Sequence, residues 1–167
     1  MNKTKNITLI ALFAVITALA SWICFPLSAA PLTLQVFAVA LSGYLLGKVR
    51  GTVCILVYLI MGAVGLPVFS SFRGGIAVLL SPTGGFLWGF LALSFFCGLA
   101  KGKWATALGL LGLLICHAAG VLQYSLLADI SILAAFLSGS LPFIAKDIIL
   151  VVLAQILAAR VKKETEI

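Results

Sequence analysis

Charge is scarce in this chain, and acid is scarcest of all. Four carboxylates stand against eleven lysines and arginines in 167 residues, with charged residues at 9% and hydrophobic ones at 63%. A water-soluble domain carries far more charge than that, so a soluble globular class is excluded. Asp129 and Asp147 are the only acids before the C-terminal tail, which leaves no paired carboxylates for acid–base catalysis. Histidine occurs once, as His117, and Cys24, Cys54, Cys97 and Cys116 form no C-x-x-C pair. Metal ligation and disulfides are therefore not expected. The cysteines read as small apolar packing residues, and His117 as a packed, satisfied side chain. The chain also lacks a G-x-x-x-x-G-K-[ST] loop, a G-x-S-x-G turn and an H-E-x-x-H pair. It has no visible means of hydrolysing ATP or of covalent or metal chemistry, and it reads as a non-enzyme without cofactors.

What is abundant is apolar length. With a mean hydropathy of +1.29 the solvent of this chain is lipid. Six membrane spans are predicted, near Ile7–Phe25, Leu34–Gly47, Thr52–Val64, Phe86–Ala100, Trp104–Leu127 and Pro142–Ala159. They make an all-α bundle that forms a single integral membrane domain over residues 1–167. The second, third and fourth spans are short for a hydrocarbon layer of about 30 Å. The stretch "ADISILAAFLSGS" reads as a connection with one helical turn or more. Lys3, Lys5, the first apolar run and "LSAAP" imitate a cleavable leader. The run is longer than a leader core and further spans follow, so it reads as the first span.

The cations test this drawing. Lys3, Lys5, Lys48, Arg50, Lys101, Lys103, Arg160, Lys162 and Lys163, nine of the eleven, fall on one side of the six spans. That asymmetry predicts a multi-pass protein of the plasma membrane with both termini cytoplasmic. The cations lie in pairs and a triplet at span ends rather than as one basic face, so the net charge of +7 does not indicate nucleic acid. Arg73 and Lys146 fall on the outer side, where orientation gives them no role.

The outer side also collects the irregular sequence. "GLPVFSSFRGGIAVLLSPTGG", residues 65–85, combines glycines, prolines and serines over a length more usual for lids and binding loops than for connectors. It predicts a shaped, non-helical loop between spans three and four, with "IAVLL" dipping back against the bundle. Arg73 in this loop is suited to an anionic ligand group, or to solvent and lipid headgroups. Asp147 in the last span must face the interior and accept hydrogen bonds, and the long stem of neighbouring Lys146 lets it reach the same spot or water. Thr33 and Gln35 offer neutral hydrogen bonds at the outer start of the second span. Tyr124 lies seven residues from His117 on one helix face and brings a ring and a hydroxyl.

Small residues recur at four-residue spacing: Ala14 and Ala18; Gly43, Gly47 and Gly51; Gly98 and Gly102. Such grooves let helices approach closely. The glycines are expected to pack within the bundle, and Ala14 and Ala18 are open to a partner membrane protein.

The words "PLTLQVFAVALSGYLLG" (31–47), "YLIMGAVGLPVFSSFRGG" (58–75), "SPTGGFLWGF" (81–90) and "LPFIAKDIIL" (141–150) resemble the BioY family, over almost the whole chain. Its members are the biotin-specific substrate-binding (S) components of energy-coupling-factor transporters. The resemblance implies a six-span bundle that captures biotin from outside. It also implies assembly with a membrane coupling protein and two cytoplasmic ATPase subunits, which alone use ATP. It assigns partner contact to Ala14 and Ala18. Ligand contact falls to the loop and the last helix, hence to Arg73, Gly74, Gly75 and Asp147; the residues themselves add Phe69, Thr83 and Lys146 to the expected site. Gln35 and Tyr124 complete the expected site, with Phe69, Phe72 and Tyr124 as aromatic walls, and either Arg73 or Lys146 meets the biotin carboxylate. One departure stands out: where the family carries a lysine three residues after the last-helix aspartate, this chain has Leu150. Two other classes stay open on sequence, an S component for a different vitamin and a small membrane-embedded enzyme or redox subunit built around His117.

Overall fold

The computed structural model describes residues 3–25, 32–99 and 102–165. The "LSAAP" stretch and Lys101 of the charge count lie outside the described residues. Helix α1 (Lys3–Trp22) leads into a two-strand antiparallel ribbon, β1 (Cys24–Phe25) with β2 (Leu32–Thr33). Then come α2 (Gln35–Leu46), α3 (Lys48–Ala63), the short α4 (Ile76–Leu79) and α5 (Gly84–Leu99). The chain closes with α6 (Ala105–Ala128), α7 (Ile132–Gly139) and α8 (Leu141–Thr165). By length and composition α1, α6 and α8 can cross a membrane, and α2 and α5 are shorter apolar helices.

Helix α2 is the axis of the bundle. Ten of its twelve residues are buried, and it packs against α1, α3, α5 and α8. Its apolar residues occupy every face, which is the pattern of a helix enclosed by others. Glycines set how closely its neighbours come. A Cβ on Gly43 or Gly51 would strike the opposing residue Ser94 or Gly43, and one on Gly98 would strike the backbone at Lys48. The expected internal role of these glycines is thus visible. Gly47 instead makes the turn between α2 and α3 with φ +81°, a conformation open to glycine at little cost. The extensive contact between α5 and α6 is built similarly, with Gly85 and Gly89 against the α6 backbone at Ala119, Gly120 and Cys116.

Buried hydroxyls are satisfied locally, as an apolar interior requires. Thr17 donates to the Phe13 carbonyl and Ser42 to that of Val39, while Tyr44 donates across the bundle to Ala105.

The connection at 129–140 has the expected helical turns: they form α7, started by Ser131, whose hydroxyl accepts from the Ala134 amide. Two expectations are corrected. Segment 65–83 is not wholly non-helical: residues 70–72 form a 3-10 turn and "IAVL" forms α4, whose Leu79 is buried at 1% exposure. Ala14 and Ala18 lie in the bundle's own core at 1% and 5% exposure, packed on the inner face of α1. The open face of α1 carries Leu12, Val15 and Leu19 instead.

Candidate ligand pocket

The segment between α3 and α5 is fastened at both ends. At its start, Ser21 and Tyr58 both donate to the Val68 carbonyl, at 2.6 and 3.1 Å, and Trp22 Nε1 donates to Pro67 at 2.9 Å. The Gly75 amide returns to the Gly62 carbonyl at 2.7 Å. At its end, Gln123 Nε2 on α6 donates to the carbonyls of both Leu79 and Ser81, at 2.9 and 2.7 Å. Between the fastenings the backbone is strained: Ser71 and Phe72 hold φ of 58° and 57° without being glycine. That double kink turns Phe72 outward onto Trp22, ring centroids 4.9 Å apart, while Phe69 and Arg73 pair across it.

Under this segment lies a cavity of about 90 Å³, bounded by the starts of α2, α5 and α8 and the middle of α6. Of the residues expected in a site, Gln35, Phe69, Arg73, Thr83, Lys146 and Asp147 line it. Gly74, Gly75, Phe72 and Tyr124 are not among its lining residues. Gly74 and Gly75 shape the loop, the first because a Cβ would meet the Leu66 carbonyl, the second through φ +97°. Phe72 is 63% exposed. Tyr124 faces Gly139, where a Cβ would meet its ring.

Asp147 is 4% exposed and anchors the polar side. His117 Nε2 stands 3.3 Å from its Oδ2, and Lys146 Nζ 2.6 Å from its Oδ1. The lysine contact is an ion pair without hydrogen-bond alignment, since Oδ1 has no hydrogen-bond partner among the described residues. Lys146 also donates to the Thr33 carbonyl at 2.9 Å. Gln35 is spent on structure as well as on lining: its Nε2 donates to Tyr58 at 2.6 Å and its Oε1 accepts from Thr33. Arg73 is bound most loosely. Among the described residues its guanidinium reaches only its own loop, at 3.3 Å to the Ser70 carbonyl and 3.4 Å to the Ser70 hydroxyl. Leu150, where the family resemblance leads one to look for a lysine, is buried in the apolar core.

Sequence reasoning missed the opposite wall. Phe86 and Phe90 of α5, Phe143 of α8, and Cys116 with His117 of α6 all line the cavity. The spacing of Phe86 to Phe90, and of Phe143 to Asp147, places each pair on one helix face, a signal that was available. His117 is packed and satisfied as expected, yet its partner is the site's aspartate, which no spacing in the sequence reveals.

Charges on the described lining, Arg73, Lys146 and Asp147, sum to +1 with His117 neutral. Apolar and aromatic walls, one buried acceptor and one loosely held cation can receive a small monoanion that also carries N–H donors. A second cavity, about 570 Å³ between α6, α7 and α8, is larger but almost wholly apolar. The polar chemistry belongs to the smaller one.

The sequence profile of the BioY family matches residues 1–166. The chain belongs to the BioY family. It is 41% identical to the "Probable biotin transporter BioY" of Pyrococcus horikoshii, over 98% of this chain and 99% of that one. It is 42% identical to the "Biotin transporter BioY" of Thermotoga maritima, over 91% of this chain and 92% of the relative. Among solved structures, the crystal structure of the S-component for biotin from an ECF-type ABC transporter superposes with a TM-score of 0.88. That match has 25% identity and covers 98% of this chain and 95% of the other.

Proposed function

We propose that this chain is the biotin-capturing S component of an energy-coupling-factor importer. The observation that carries the reading is the pocket's charge and polarity, a net +1 lining with the buried Asp147 carboxylate inside aromatic walls. Biotin is complementary to it group by group: a cyclic urea with two N–H donors, an apolar ring and tail, and one carboxylate. A carboxylate only accepts, so Asp147 takes a ureido N–H and not the ligand's acid. Lys146 is committed to Thr33 and Asp147, so the biotin carboxylate falls to Arg73, whose present bonds are long and whose planar fork suits a carboxylate. Phe69, Phe86, Phe90 and Phe143 cover the apolar body.

The same reading takes the chain as one integral membrane domain of six spans with both termini cytoplasmic, supported by the nine cations on one side. The pocket then opens outward beneath the 64–83 segment. Such a chain carries no nucleotide site, so import is driven by partners, a membrane coupling protein and two cytoplasmic ATPases. The chain is a transport component, without a catalytic step or cofactor of its own.

The test is equilibrium binding of labelled biotin to the purified chain, with unlabelled vitamins as competitors. Saturable binding displaced by biotin alone is expected. Displacement by another vitamin but not by biotin ends the reading.

A further inference from the structure

His117 bridges Ser140, the turn residue between α7 and α8, and Asp147, seven residues further on in α8. Its Nδ1 lies 2.7 Å from Ser140 Oγ and its Nε2 3.3 Å from Asp147 Oδ2. The tautomer is assigned from these partners. An ionised carboxylate cannot donate, so Nε2 carries the proton; the neutral ring then accepts at Nδ1, and Ser140 donates its hydroxyl proton. Donation thus runs from Ser140 to His117 to Asp147. Phe86 packs edge-on against the imidazole, at 5.8 Å and 83°, and limits its rotation. All three members are buried, at 0%, 7% and 4% exposure.

Asp147 is pulled from two sides. Lys146 Nζ sits 2.6 Å from Oδ1 without hydrogen-bond alignment. A carboxylate held by that ammonium alone would turn to share both oxygens with it, and the orientation seen on the cavity wall would be lost. The His117 donor at Oδ2 opposes that rotation. We propose that His117 is a positioning residue for ligand capture: anchored by Ser140, it holds the Asp147 carboxylate in its observed orientation on the cavity wall, where that carboxylate receives a ligand N–H. This rests on the ligand reading above.

Serine, histidine and aspartate in a row also form the residue set of a hydrolase. Ser140 has no exposed surface and is absent from the lining of the cavity that holds Asp147, so its hydroxyl does not meet a ligand there. A plain packing role accounts for the contact with Phe86 but not for polar partners at both ring nitrogens, Ser140 at one and the Asp147 carboxylate at the other.

The test uses the full-length chain and labelled biotin, with thermal unfolding of each variant recorded in parallel. His117→Phe keeps the ring volume without a donor. His117→Gln keeps one N–H within reach of Asp147. Loss of a hydrogen bond to a charged group predicts that His117→Phe weakens binding about tenfold or more, with His117→Gln within about threefold of the parent. The double variant His117→Phe with Asp147→Asn is expected to bind no more weakly than Asp147→Asn alone, since one residue acts through the other. If His117→Phe fails to fold, Ser140→Ala takes its place, with a smaller loss that vanishes in the Asp147→Asn background. Parent-like binding by His117→Phe, equal losses for Phe and Gln, or additive losses in the double variant overturn the proposal. Those results leave the ligand reading standing; failure of the parent chain itself to bind biotin overturns both.

Discussion

The ammonium of Lys146 lies 2.9 Å from the carbonyl of Thr33, joining α8 to the strand that leads into α2 across a sequence separation of 113 residues. The same ammonium faces Asp147 at 2.6 Å. One side chain therefore ties two walls of the pocket together and balances its buried acid.

Lys146→Met should weaken both functions of that tie. The variant leaves Asp147 without its ammonium, a cost of about 1–3 kcal/mol for a buried polar group that loses its partner. A lower unfolding midpoint in detergent and a biotin Kd raised about tenfold are expected. Adding Leu150→Lys in the same chain should recover part of the binding, because position 150 lies on the same helix face as Asp147 one turn on. No recovery would show that the site requires the link to Thr33 and not merely a nearby cation.

Arg73→Gln is predicted to separate the two ends of the ligand. If the guanidinium meets the carboxylate, biotin binding falls about tenfold to a hundredfold, the scale of a charge-assisted pair. Biotin methyl ester, which lacks that charge, should bind parent and variant alike. Equal losses for acid and ester, measured by competition, would remove Arg73 from the carboxylate.

Gln123→Glu replaces a double donor by an acceptor facing the Leu79 and Ser81 carbonyls. Like dipoles then repel, and the end of the 64–83 segment loosens. The expected signature is an off-rate for biotin faster by about tenfold with a smaller change in on-rate. Hydrogen exchange over residues 76–83 should rise in parallel. An unchanged off-rate would mean that this fastening does not gate the pocket.

Orientation is testable with thiols. Cys24 is part-exposed, whereas Cys54, Cys97 and Cys116 are buried. A membrane-impermeant maleimide should label Cys24 in intact cells. In a Cys24→Ser background, Lys163→Cys should label only after permeabilisation. The reverse pattern would invert the topology.

Much of the helical framework was legible because lipid as solvent simplifies the code. Long apolar runs must be helices, and the cation pairs mark their ends. The observed α2, α5 and α6 lie within about two residues of the spans drawn from hydropathy. Helix α7 is legible only as a connection with one helical turn or more, because its polar flanks, Asp129 and Ser140, leave eight residues of helix between them. Ala14 and Ala18 were misjudged for a different reason. Small-residue spacing states that a helix will be approached closely, and it does not state whether the neighbour is another part of the chain or a partner.

Sequence by itself determined that this is a lipid-embedded helical bundle, which residues carry charge outside the orientation pattern, and which family words surround them. Those follow from composition and short-range order. Tertiary structure alone decided that Asp147 is held by His117, that Lys146 reaches Thr33, that Gln123 fastens the loop, and that Tyr124 stands outside the cavity. Such pairings join residues from 30 to 113 positions apart. Local periodicity fixes the face on which a side chain lies, but only the packing of helix against helix brings two faces together.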